Sequence, residues 1–147
     1  GDNGQGDLVC GEKLSRKNKD ADQVDSLSCV SAVFIHEVLP REKQLTSVRD
    51  GEEWTDLNVH FHRTYVGAAI NAYDCGMISL EGLSRVGRAA VEDLLRMRIS
   101  CILNTKSDWN AVINDLNHDV GRANQQLQEH PHLQIAPVPA SAGNSLQ

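Results

Sequence analysis

Between Trp54 and Cys75 the apolar side chains Trp54, Leu57, Phe61, Tyr65, Ala68, Ala72 and Cys75 recur in steps of three and four residues. A backbone with 3.6 residues per turn places such positions on one stripe. No other feature limits the fold so strongly, and it predicts a long helix over residues 54–75. A second flank of Val59, Val66, Ile70 and Tyr73 widens the stripe, so this helix is expected to lie centrally and to touch two neighbours. Gly76 follows directly and suits the left-handed residue that closes many helices.

Two further seams extend the pattern. Ser79 is a natural N-cap, with Glu81 in the first turn where the helix dipole favours a carboxylate. The core face behind it reads Leu80, Leu83, Val86, Ala90, Leu94, Met97 and Cys101, with Asn104 closing the helix. Glu81 with Arg85, Arg88 with Glu92, and Glu92 with Arg96 form i,i+4 pairs that read as a solvated ladder. The next helix starts at Ser107 or Asp108 and carries a strict, narrow seam of Trp109, Ile113, Leu116, Val120, Ala123 and Leu127, with Pro131 ending it. Its other faces are Asn, Asp, Gln and Arg, which places it at the edge of a bundle or against a partner.

Upstream, Val24, Leu27, Val30, Ser31, Phe34 and Val38 predict a helix over residues 23–39, stopped by Pro40. A buried strand through Cys29–Ile35 is the rival, because Val30, Val33 and Ile35 are β-branched. The charged stretch from Pro40 to Gly51 suits a surface connection. The fold expected is all-α: an antiparallel bundle of about four helices over residues 23–130. A flexible polar arm, residues 1–22, precedes it, and an extended tail rich in Pro, Ala and Ser, residues 131–147, follows. Gly67 with Ala68 and Ala69, and Gly87 with Ala89 and Ala90, form small-residue patches where two helix backbones approach closely or where a ligand lies.

Composition narrows the function. The 147 residues carry 14 basic and 20 acidic side chains, a net charge of -6, which repels phosphate backbones and disfavours nucleic-acid binding. The longest apolar run, around Val30 to Ile35, is far short of the ~18–20 residues that span a bilayer. The four cysteines, Cys10, Cys29, Cys75 and Cys101, are widely spaced with no CxxC, which argues against zinc knuckles and dithiol redox chemistry. Two disulfides, Cys75 with Cys101 and Cys10 with Cys29, are expected, and four reduced thiols are the alternative. The chain opens on Gly and carries no signal peptide, as in a processed or trimmed chain. With the disulfides, this points to an extracytoplasmic (secreted or periplasmic) protein.

No catalytic constellation stands out. His36 and Glu37 begin a zincin-like pattern, but Pro40 stands where the second His belongs. His60 and His62 would share a face only on a strand, and the helical reading of this segment separates them. His118 lies near Asp115 and Asp119 on a helix, a pattern that serves proton transfer or metal binding but also any polar face. No catalytic residue, cofactor or metal is therefore expected. Trp54 and Trp109 open two helices, where a large ring covers a bundle end or anchors a partner. The function expected is binding of another protein, through Trp54, Trp109, Asp115, His118 and Arg122, with a homodimer compatible. The alternatives are an apolar small-molecule or lipid carrier with a cavity between helices, a cytosolic adaptor or chaperone, and an enzyme built on His118 or a Cys/His pair.

Overall fold

The computed structural model describes residues 1–2, 6–19, 30–38, 54–97 and 106–139. It is mostly helical, with four α-helices among the described residues and one small parallel sheet. The chain divides into two compact units, Gly1–Arg63 and Thr64–Gln147. The division falls inside the segment expected to be one long helix.

In the first unit the segment expected to be a loose arm holds helix α1, Asp7–Lys19. Its inward face is Leu8, Gly11, Glu12 and Ser15, positions spaced three and four apart. Only Leu8 among them is a large apolar group, and Arg16 pairs with the buried Glu12 at 3.0 Å. Strand β1, Val33–His36, replaces the latter part of the helix expected over 23–39, so the β-branched rival describes this stretch. Residues 23–29 lie outside the described residues.

The predicted helix over 54–75 is three elements. Trp54–Leu57 is a single 3₁₀ turn, Val59–His62 is strand β2, and only Tyr65–Asp74, helix α2, is α-helical. Asn58 breaks the run by adopting φ 52°, a left-handed conformation that Asn tolerates better than most residues. The strands pair in parallel with Val33 opposite Val59 and His36 opposite His62. Alternation then sorts the side chains. Ile35 and Val59 pack with Leu8 and Leu57, flanked by Val33, Phe61 and Trp54, while Phe34, His36, His60 and His62 share the other face.

The second unit holds α2, α3 (Leu80–Met97) and α4 (Lys106–Gln126), then a 3₁₀ turn at Pro131–Leu133. Helix α2 packs on both α3 and α4, as its wide stripe predicted. Its buried face, however, is centred on the flank: Val66 and Ile70 are covered together with Ala69, while Tyr65 and Cys75 are exposed. Thr64 caps its start, accepting from the Gly67 N–H at 3.0 Å. Gly76, at φ 69°, ends it: the Met77 N–H reaches the Ala72 carbonyl and the Gly76 N–H the Tyr73 carbonyl, both at 2.8 Å, the Schellman arrangement.

Ser79 caps α3 as expected, accepting from the Gly82 N–H at 3.2 Å. The buried face of α3 runs through Leu83, Gly87, Val91 and Leu94, with Met97 exposed. Cys101 and Asn104 lie outside the described residues. The α4 seam is as read: Trp109, Ile113, Leu116, Val120, Ala123 and Leu127 are all buried. The mostly helical character is as expected, and the small two-stranded sheet is where the structure departs from an all-α bundle.

Candidate functional site

The main departure from the sequence reading is the tail. It is extended, as expected, but it lies against the helical unit as a strap, and Ile135 and Val138 are buried in the same core as the α3 and α4 seams. Gln134, at φ -58° and ψ 149°, has the polyproline conformation. Burial alternates along it: Leu133 is half-buried, Ile135 and Val138 are buried, and His132, Gln134, Ala136, Pro137 and Pro139 are exposed.

Two asparagines of α4 hold the strap by its backbone. The Asn124 side chain accepts from the Ile135 N–H at 2.8 Å and donates to the Ile135 carbonyl at 2.9 Å. Asn117 repeats the arrangement on Val138, at 2.8 and 3.0 Å. The spacing matches. Seven residues of α-helix advance about 10.5 Å, and three residues of polyproline chain advance about 9 Å. The order is reversed, 124 with 135 and 117 with 138, so the strap runs antiparallel to α4.

Helix α3 supplies the other wall. The Ser84 hydroxyl donates to the Leu133 carbonyl, and Arg88 donates to the carbonyls of His132 at 2.6 Å and Gln134 at 3.1 Å. Arg88 thus serves the strap rather than the ladder with Glu92; Glu92 pairs with Arg96. Between Ser84 and Arg88 lies Gly87, and a Cβ there would stand 3.1 Å from Ile135 Cγ1 and closer still to Cδ1. One of the two small-residue patches singled out in the sequence therefore seats a chain segment. Asn117, Asn124 and Ser84 were missed by sequence reasoning. The available signal was a pair of Asn seven apart on one polar flank of a strict seam, followed by a tail with isolated Ile and Val.

The residues proposed from sequence are placed as follows. Asp119 is buried and gathers a polar node: Thr64 Oγ1 donates to it at 2.7 Å, Arg122 pairs with it at 3.3 Å, and the exposed His118 lies at 3.4 Å. Asp115, half-buried one turn earlier, belongs to the same flank. The node ties the cap of α2 to α4, with Arg122 at its exposed edge. Trp109 is buried in the helical core, and its indole N–H has no hydrogen-bond partner among the described residues. Trp54 is half-buried in the sheet unit, edge-on to Phe61 at 5.4 Å.

His60 and His62 stand on a strand after all. Each stacks on its register partner, His60 on Phe34 and His62 on His36, both with ring centroids 5.5 Å apart. His36 Nε2 lies 3.0 Å from the Arg63 carbonyl. Among the described residues no three His, Cys, Asp or Glu side chains are grouped to hold a metal ion. Cys10 and Cys75 are both exposed, while Cys29 and Cys101 lie outside the described residues. No helix among the described residues is long and apolar enough to cross a membrane. Comparison with protein-family models, with curated proteins and with solved structures gives no match.

Proposed function

We propose that the protein acts by binding other proteins, and that the helical unit does so by gripping an extended chain segment between α3 and α4. The observation that carries this is the pair of asparagine clamps. Each satisfies both the N–H and the carbonyl of one strap residue, which is recognition of peptide backbone irrespective of side chain. In this chain the resident ligand is the tail.

The balance of forces supports exchange of that ligand. Covering Ile135, Val138 and part of Leu133 contributes about 5 kcal/mol. The bonds from Asn117, Asn124, Ser84 and Arg88, at ~1 kcal/mol each, contribute about 7 kcal/mol. Ordering residues 131–139 costs about 13 kcal/mol. The terms cancel to within a few kcal/mol, so the strap sits in its groove without being locked there.

The test uses the full chain with its own strap weakened by Ile135→Ala and Val138→Ala. A fluorescent peptide copying residues 130–139 is titrated in, and anisotropy is read. Saturable binding is expected, lost when Asn117 and Asn124 are also changed to Ala. A weakened chain that keeps its helicity by circular dichroism yet binds no peptide refutes the proposal.

A further inference from the structure

Resting on the peptide-groove proposal, we infer that the groove selects a particular class of segment in another protein: branched aliphatic, any residue, proline, branched aliphatic, read antiparallel to α4. Four features of the strap define the class.

The first is the demand for N–H groups. Ile135 and Val138 both donate their amide hydrogens to asparagine oxygens, and proline has none. Proline is therefore excluded at both aliphatic positions. Beyond Pro131 of the 3₁₀ turn, the prolines of the strap fall on 137 and 139, flanking Val138 and never replacing a clamped residue.

The second is what those prolines do. A residue before proline is pushed into extended conformations, so Pro137 extends Ala136 and Pro139 extends Val138. A segment with this punctuation arrives already shaped for clamps about 9 Å apart and loses little freedom on binding.

The third is the floor at Gly87. With 3.1 Å between an added Cβ and Ile135 Cγ1, the space is filled by a branched aliphatic side chain. An aromatic ring is too large, and alanine leaves a void. Gly87 is thus a specificity-determining residue. The fourth is direction, since residue 135 meets Asn124 and residue 138 meets Asn117. A segment of the same composition in reverse order presents its side chains and amides out of register.

The occupant is another protein rather than a second copy. The strap follows α4 after only residues 127–130, so its effective concentration at the groove is in the millimolar range set by a short tether. A second copy brings an identical sequence without the tether and loses to the resident strap. A different protein displaces it only by adding contacts beyond the two clamps, so the inferred partner segment extends past the residues that match 135–138.

The experiment titrates a peptide series into the full chain carrying Ile135→Ala and Val138→Ala. The parent peptide of residues 130–139 is compared with versions N-methylated at the Ile or at the Val, with Ile→Phe, and with the reversed sequence. Each change is expected to weaken binding at least tenfold. In a chain that also carries Gly87→Ala, an Ile→Val peptide should bind better than the parent, because Val lacks the Cδ1 that the new methyl meets. If the parent binds but either N-methylated peptide or the reversed peptide stays within threefold of it, the selection is wrong and the groove proposal stands. If the parent does not bind, both fall. A concentration-dependent dimer of the unmodified chain, seen by light scattering and abolished by Ile135→Ala and Val138→Ala, would assign the groove to a second copy and overturn the inference.

Discussion

Replacing Gly87 and Gly121 with alanine should move stability in opposite directions, although both glycines lie inside helices of the same unit. In a helix interior, alanine is favoured over glycine by about 1 kcal/mol. At Gly121 nothing lies within 4 Å of the added methyl, so that gain should appear unopposed. At Gly87 the methyl meets Ile135. The closest atom is Cδ1, with Cγ1 next at 3.1 Å; moving them aside takes a change of side-chain rotamer within the packed core or a shift of the strap backbone, which Asn124 holds at both ends of the residue. Either the clamp opens or the side chain leaves its seat, forfeiting about 2 kcal/mol of burial. The net result is a loss of about 1 kcal/mol at Gly87, roughly 2 kcal/mol away from the Gly121 variant.

Urea unfolding of the two variants reads that difference. At ~4–8 °C per kcal/mol for a unit of this size, thermal melts should separate the pair by roughly 10 °C. Hydrogen exchange at the Ile135 and Val138 amides should accelerate in the Gly87 variant alone. Ile135→Val, which alone costs about 1 kcal/mol, should cost nearly nothing beside Gly87→Ala. Equal stabilisation by the two glycine replacements would refute the packing of Ile135 on Gly87.

Thr64→Val removes the cap of α2 and the hydroxyl that donates to the buried Asp119 at 2.7 Å. It should cost about 2–3 kcal/mol, combining a lost cap with a poorly satisfied carboxylate, measurable by urea unfolding. Glu81 is held below the ordinary carboxylate range, first by the Ser79 hydroxyl and then by its own backbone amide. Its charged form therefore supports the fold above the ordinary range, and the support is lost as pH falls through the depressed value. Ser79→Ala should raise the Glu81 midpoint, followed by carboxyl NMR titration. Cys10, exposed on α1, should react with a maleimide in the folded, unreduced protein. Protection that disappears only after reduction would instead support the Cys10–Cys29 pairing and, with it, the extracytoplasmic location proposed from the four widely spaced cysteines.

What the sequence made legible was local. The α4 seam is regular over six positions, and all six are buried, because a helix that turns one narrow face to a core writes that face directly into its spacing. The Ser79 cap and the Gly76 stop are likewise short-range and were readable. The stripe from Trp54 to Cys75 misled because its first half, VHFH, pairs with VFIH some 26 residues earlier, and a parallel partner leaves no mark in local periodicity. Four-residue strands also match helical spacing by chance. Helix α1 escaped notice for another reason: its inward face is built on Gly11, Glu12 and Ser15, so counting apolar groups finds only Leu8. The groove was hidden because its polar contacts are side chain to backbone. Asn117 and Asn124 look like any solvated residues until the tail is seen to lie across them.

Because Asn117 and Asn124 stand about two turns apart on α4, a strap that exchanges as proposed would leave in stages. Its outer end frees Val138 from Asn117 while Ile135 is still held by Asn124 on the floor of Gly87. An incoming segment can occupy the vacated place first and then advance along α4, as one nucleic-acid strand replaces another from a toehold. Under the proposed exchange, the release rate of the strap would rise with the concentration of the newcomer instead of waiting for complete detachment. Throughout the handover one of the two seats stays filled, so the seam beneath is never wholly opened to water.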